Sequence, residues 1–330
     1  MVYTGALHQG VFKSTDRGAT FRAANRGLHG VRVVHLAIAP SNPAVLYAVF
    51  SRRGVHRSDD GGATWRLAHA GLPVEPYLIV VDPRDPATAL ASQYAGHIWK
   101  TVDGGASWRL TTGEETSCVL PEEIVFDPRR SGTVYTVGFG ISCPQFPDVC
   151  RGFKSTDGGE SWTCMDELAD DYFALAIDPA DPSRLFAGGL GEVLATTDAG
   201  RNWTGIEPGL PAGSFVSSLA LAASGGARVL YAGTSQGLFQ RTGAGWARVQ
   251  ATLFTSVTEV ADAPSNPAVV YALHRARIYR SVNGGATWRR VILLGLPADP
   301  LMGVIVDPAR PRVLYTLTRA GIYRLSQTAP

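Results

Sequence analysis

Apolar and polar positions alternate in short bursts along this chain. VHLAIAP (34–40), YLIVVDP (77–83), EIVFDP (123–128), FALAIDP (173–179) and MGVIVDP (302–308) each run into a proline turn. A second apolar burst follows each time, as in VLYAVF (45–50), TVYTVG (133–138), RLFAGG (184–189), VLYAGT (229–234) and VVYALH (269–274). Then comes a glycine-marked turn and a third burst, such as GVHRS, GFKST, GLFQR or RIYRS. The bursts are rich in β-branched and aromatic residues, they are separated by turn residues, and none has helical periodicity. They predict strands and only strands.

The third burst leads into a recurring phrase. RSDDGGATW (57–65), KTVDGGASW (100–108), KSTDGGESW (154–162), ATTDAGRNW (195–203) and RSVNGGATW (280–288) are full copies; KSTDRGATF (13–21) ends in Phe, and QRTGAGW (240–246) is worn. Their aromatics, Phe21, Trp65, Trp108, Trp162, Trp203, Trp246 and Trp288, are spaced by 44, 43, 54, 41, 43 and 42 residues. A period near 43 matches one four-stranded propeller blade, and all-β radial repetition means a propeller.

The expected fold is therefore a single all-β domain, a seven-bladed β-propeller of four-stranded antiparallel blades. The blades span 31–74, 75–117, 118–170, 171–212, 213–254 and 255–298, and 299–330 is closed by 1–30. Seven inner and seven outer strands are accompanied by eight middle hairpins. The seventh blade is expected to take its outer strand from residues 20–25; an eight-bladed ring is the alternative.

The phrase explains its own repetition without catalysis. Asp16, Asp59, Asp103, Asp157, Asp198 and Asn283 are expected to accept bonds within their own turns. The glycines adopt left-handed backbone, and Trp65, Trp108, Trp162, Trp203 and Trp288 bury a large ring between blades. Asn283 shows that a carbonyl oxygen suffices, which a general acid would not tolerate. These turns and the proline turns share one end of the ring. The turns between second and third strands and the inter-blade loops share the other end, where a ligand is expected.

The phrase S/T-x-D-x-G-x-S/T-W resembles that of the Asp-box, or BNR-repeat, propeller superfamily over almost the whole chain. The resemblance implies the fold but not one function. Its branches include sialidases, xyloglucan-cleaving glycosidases, sortilin-type receptors and photosystem II stability/assembly factor-like proteins. No Arg-Ile-Pro stretch of the sialidase kind occurs, and one ring is present where the xyloglucan enzymes resemble two. The chain is most similar to the assembly-factor-like and sortilin-type non-enzymatic propellers. This implies a protein-binding scaffold, leaning away from an enzyme; the alternative is a glycoside hydrolase or glycan-binding propeller of the sialidase or xyloglucanase kind.

Charge sharpens the candidate surface. The 330 residues carry a net charge of only +2, too little to argue for nucleic acid, and no apolar run reaches the length of a membrane span. At the ligand end, Arg52, Arg53, His274, Arg275, Arg277 and Arg319 are expected to form a cationic arc. Glu114, Glu115, Glu122, Glu123, Asp166, Glu167, Asp170 and Asp171 are expected to form an acidic arc opposite. Inner-strand alternation nominates His35, Leu78, Glu123, Ala174, Ser218, Glu259 and Gly303 for the channel wall, with His35, Glu123 and Glu259 as a cation or sugar site. Glu123 and Glu259 would be the carboxyl pair of a glycosidase.

The insertion VGFGISCPQFPDVCRG (137–152) offers Phe139, Phe146 and Pro147 as an apolar tip. The four cysteines, Cys118, Cys143, Cys150 and Cys164, are clustered and even in number, which fits two disulfides, free thiols or, least well, a metal site. Pairings 143–150 and 118–164 are the first considered, with the others open. Disulfides would place the protein outside the cytosol, in the periplasm or secreted, with the export signal absent from this chain and the cytoplasm as the other possibility. No metal or cofactor is called for. A protein partner is expected, a glycan is the second choice, and the chain is expected to be monomeric.

Overall fold

A computed structural model describes residues 33–291 apart from 62–63, 74–75, 95, 114–117, 142–150, 166–167, 225–226, 244, 251–252, 264–265 and 276; it also describes strands at 2–6, 10–14, 22–23, 301–306, 313–318 and 321–326. Every named element is a β-strand. Six four-stranded antiparallel sheets follow one another as blades, and each is a meander whose neighbours in sequence are neighbours in the sheet. Their first strands are Val33–Ile38, Pro76–Val81, Val119–Phe126, Tyr172–Ile177, Val216–Ser224 and Glu259–Asp262. Successive first strands lie side by side, so the blades radiate from a common axis as a propeller.

The ends depart from expectation. Leu301–Val306, Val313–Thr318 and Gly321–Ser326 form a three-stranded sheet, and Val2–Ala6, Gly10–Ser14 and Arg22–Ala23 form another. Arg22–Ala23 pairs with Gly10–Ser14 and does not complete the C-terminal sheet. Val2–Ala6 is the segment that lies against Gly321–Ser326. Arg22–Ala23 and Gly10–Ser14 are neighbours in the chain, so their pairing closes only a short loop.

The core lies between blades. Trp108 ends the turn of blade two, yet it is 6% exposed in a cluster with Val49 and Val55 of blade one. Its Nε1 donates to Ala68 O (2.8 Å), in the segment leaving blade one. Trp246 donates to Ile206 O (2.7 Å) and Trp162 to Thr111 Oγ1 (3.3 Å), each in the segment leaving the preceding blade. A second fastener runs the other way. Tyr47, in the second strand of blade one, donates to Pro86 O of blade two (2.9 Å), and burial pushes its hydroxyl up to about 12. Tyr231 of blade five donates to Gly284 O of blade six (2.5 Å).

The recurring turn behaves as a local staple. In blade two, Asp103 accepts from Thr101 Oγ1 (2.8 Å), Ser107 N (2.9 Å) and Ser107 Oγ (2.5 Å), while Thr101 Oγ1 accepts from Gly105 N (2.8 Å). Hydrogen bonds from Ser107 hold the Asp103 carboxyl down at about 2. Asp157 and Asp198 repeat the pattern. Asn283 keeps it with an amide, accepting from Ser281 Oγ and Thr287 N at 2.9 Å each. Gly105 has φ +82, and a Cβ there would meet Ala68 O at 2.7 Å, so the turn requires glycine twice over.

In blade one the staple is Asp60, not Asp59. Asp60 accepts from Ser58 Oγ (2.9 Å), Thr64 N (2.9 Å) and Thr64 Oγ1 (2.6 Å). Asp59 faces outward and pairs with Arg57 at 2.6 Å. The carboxylate must lie two residues after the hydroxyl to reach back to it, and the doubled Asp of this copy hid that spacing. Asp16 lies outside the described residues.

Candidate functional site

The end of the ring opposite the recurring turns is shaped by a repeated irregularity. The first strands carry a register shift at one depth: Val33/His35, Pro76/Leu78, Pro121/Glu123, Tyr172/Ala174, Val216/Ser218 and, in the C-terminal sheet, Leu301/Gly303. An extra residue therefore sits at the mouth in each, and a bulge of this kind re-aims a side chain. In blades two to five the extra residues are Tyr77, Glu122, Phe173 and Ser217.

Aromatic rings gather around them. The Phe139 and Phe173 centroids are 6.1 Å apart, and those of Phe173 and Phe215 are 4.5 Å apart, so one half-buried ladder crosses blades three, four and five. Leu190 bridges to Phe215 and is 65% exposed. On blade two, Tyr77 lies 4.7 Å from Tyr94, which is 62% exposed, and its hydroxyl donates to Pro121 O of blade three. Sequence reasoning missed this ladder. The available signal was the aromatic immediately before the channel position in blades two and four, Tyr77 and Phe173.

Just below, His35, Leu78, Glu123, Ala174, Ser218 and Gly303 follow the bulges directly, while Glu259 opens the unbulged first strand of blade six. Their chemistry differs. Leu78 and Ala174 are buried in the core between blades. Ser218 is engaged with blade six, donating to Val260 O and accepting from Val260 N at 3.1 Å each. Burial first, then the charge of Glu259, then that of Glu122, push the Glu123 carboxyl up to about 8. Burial alone takes the His35 ring down to about 4. Among the described residues no group of three or more His, Cys, Asp or Glu is placed to hold a metal ion.

Arg52, Arg53, Arg275 and Arg277 are exposed and pair with no described carboxylate. Arg52 (φ 61) and Arg275 (φ 44) hold left-handed backbone, which costs a non-glycine residue roughly 1–2 kcal/mol. His274 does not belong to the arc. It is 6% exposed, its ring is edge-on to Phe254, and its Nδ1 contacts Ser256 O. Of the acidic arc, Asp171 is tied down, accepting from Gly140 N (2.8 Å) and pairing with Arg151 (3.1 Å). Arg319, Phe146, Pro147, Cys143, Cys150, Glu114, Glu115, Asp166 and Glu167 lie outside the described residues. Neither described cysteine is a free thiol; Cys118 and Cys164 are both disulfide-bonded. Among the described residues no helix is long and apolar enough to cross a membrane.

No protein-family model matches the chain, and no curated protein matches it by sequence. Solved structures do. A GH74 xyloglucanase from Xanthomonas campestris superposes with a TM-score of 0.66 at 17% identity, covering 97% of this chain and 54% of the enzyme. This chain thus spans about half the length of that enzyme. YCF48 bound to D1 peptide matches with a TM-score of 0.66 at 14% identity, covering 91% of this chain and 94% of YCF48. YCF48 from Cyanidioschyzon merolae gives 0.62 at 14% identity, covering 90% and 95%. These likenesses show a β-propeller fold.

Proposed function

We propose that this protein is a non-catalytic scaffold of the Asp-box superfamily that binds a segment of a protein partner across the bulged mouth of the ring. The aromatic ladder Phe139–Phe173–Phe215 with exposed Leu190 carries the reading. Large, rigid rings on neighbouring blades offer contact area at low entropic cost, and such patches mark interaction sites. The unpaired Arg52, Arg53, Arg275 and Arg277 supply charge that steers and orients a partner. A propeller of nearly the same length, YCF48, holds a peptide, and the assembly-factor-like branch is the nearer model; the sortilin-type branch is the second.

Affinity capture with the wild-type chain, Phe173→Ala, and the triple variant Arg52→Glu/Arg53→Glu/Arg275→Glu tests the proposal. A partner recovered by wild type and lost from both variants is the expected result; undiminished recovery by Phe173→Ala refutes it.

A second reading is favoured by Glu123, whose carboxyl is pushed up to about 8 by burial and by the charge of Glu259. A pair of carboxyl groups, one of them kept as an acid, is what a glycosidase uses. Turnover of a β-glucan or sialoside that disappears in Glu123→Gln would establish this activity in place of the scaffold. We also propose a location outside the cytosol and a monomeric state. The bonded Cys118 and Cys164 support the location, and a wild-type protein isolated with four free thiols would remove that support.

A further inference from the structure

The worn copy of the recurring turn leaves a cavity at the opposite end of the ring. Full copies place six residues between the hydroxyl residue and the Trp, as from Ser155 to Trp162; blade five places three, from Thr242 to Trp246. Thr242 pairs directly with Gly245, so the strands close over two residues where blades one to four carry an acidic loop. The first turn of blade five is cut back as well, with no Asp-Pro. Its strands Val216–Ser224 and Ala227–Thr234 run on to nine and eight residues.

Between blades four, five and six this leaves a cavity of about 540 Å³. Phe186, Leu221 and Leu230 form an apolar part of its lining, and Arg184, Arg228 and Arg241 its charged part. The corresponding niche between blades three and four shows what is missing. It measures about 230 Å³ and is lined by Arg130, Lys154 and Arg201 together with the turn's own Asp198.

Positive charge is only partly compensated in the larger niche, where Arg228 also acts on the buried carboxyl of Asp262. Buried Asp178 serves two cations at once, Arg184 at 3.6 Å and Arg228 at 3.5 Å. Arg241 has a carbonyl partner, Ile206 O at 2.9 Å. The Arg184 guanidinium lies over the Phe186 ring, 5.8 Å from its centroid. Planar guanidinium groups match the paired oxygens of carboxylates and phosphates, and the volume is that of a small-molecule site.

We propose that this cavity binds a small multivalent oxyanion, a phosphate or polycarboxylate, in the place vacated by the lost acidic turn. The proposal does not depend on the partner surface, which lies at the other end of the ring.

Isothermal titration of the whole chain at low ionic strength, with inorganic phosphate and with citrate as probes, tests it. Saturable binding of at least one probe is expected, weakened about tenfold by Arg184→Gln and by Arg241→Gln, each removing a charge-assisted contact. Replacing Thr242–Gly245 with the sequence of Ser155–Ser161 restores loop and carboxylate and is expected to abolish binding. No saturable binding of either probe at about 10 mM, or binding unchanged in Arg184→Gln, overturns the proposal. Arg184 is exposed, so that variant decides the matter even if the grafted chain fails to fold.

Discussion

Blade three and blade five follow one plan and differ at one end. Blade three keeps both turns: Asp127 accepts from Arg129 N and Arg130 N, and Asp157 staples the recurring turn. Blade five has neither carboxylate, yet its Trp246 is buried and bonded to blade four, and its Tyr231 is buried and bonded to blade six. The buried aromatics persist where the stapled turn is lost. The stapled turn fills the niche between neighbours and balances its charge, and it can be dispensed with where the niche has another use. The same pair contrasts on the inner strand. Glu123 and Ser218 occupy one register position, the first an acid whose pKa burial raises and the second a hydroxyl bonded to blade six.

The hardest test of this contrast removes a fastener. Trp108→Ala is expected to lose about 3–5 kcal/mol in urea unfolding; a loss below about 1 kcal/mol would mean that the rings do not hold the blades together.

Next in size is the inner-strand contrast. The folded carboxyl of Glu123 titrates near 8, above its ordinary 4.5. The native state therefore binds the extra proton across that window, and stability falls as pH rises from about 4.5 to about 8. Glu123→Gln is expected to melt at the wild-type temperature near pH 4.5 and above it at pH 8.5. Parallel melting curves at both pH values would show that the glutamate pays no penalty for its position.

The smallest effect concerns the staple itself. Asp103→Ala is expected to cost about 1 kcal/mol, whereas Asp103→Asn, which reproduces the natural Asn283, costs little at neutral pH. With its folded value lowered to about 2, Asp103 contributes stability that is present above about 4 and lost as pH falls through 2. Asp103→Asn should flatten that part of the acid limb. Equal losses for Ala and Asn would show that the charge matters beyond the carbonyl oxygen.

Most of the architecture was legible in the sequence because it repeats. The spacing of the Trp residues gave the blade unit, and alignment on the proline turns placed Glu123 and Glu259 at one level. A doubled letter was enough to shift Asp59 for Asp60, since the reading depended on spacing alone. His274 read as surface charge because its turn is polar; its ring nonetheless packs against Phe254. The ends of the ring were misassigned at Arg22–Ala23, where repeat counting carries no information about which edge a two-residue strand will choose. The aromatic ladder stayed hidden for a different reason. A bulge is defined by pairing between two strands, so neither strand's sequence marks which residue is the extra one.

Those bulges have an evolutionary corollary. Five of the six four-stranded blades insert an extra residue before the regular ladder begins, so a mutation there alters what the rim displays while leaving every downstream pair in step. Phe173 is the socket that exchanges most freely, because Tyr77 and Ser217 also donate to neighbouring carbonyls, and new specificity can be explored there without refolding the wheel that carries it.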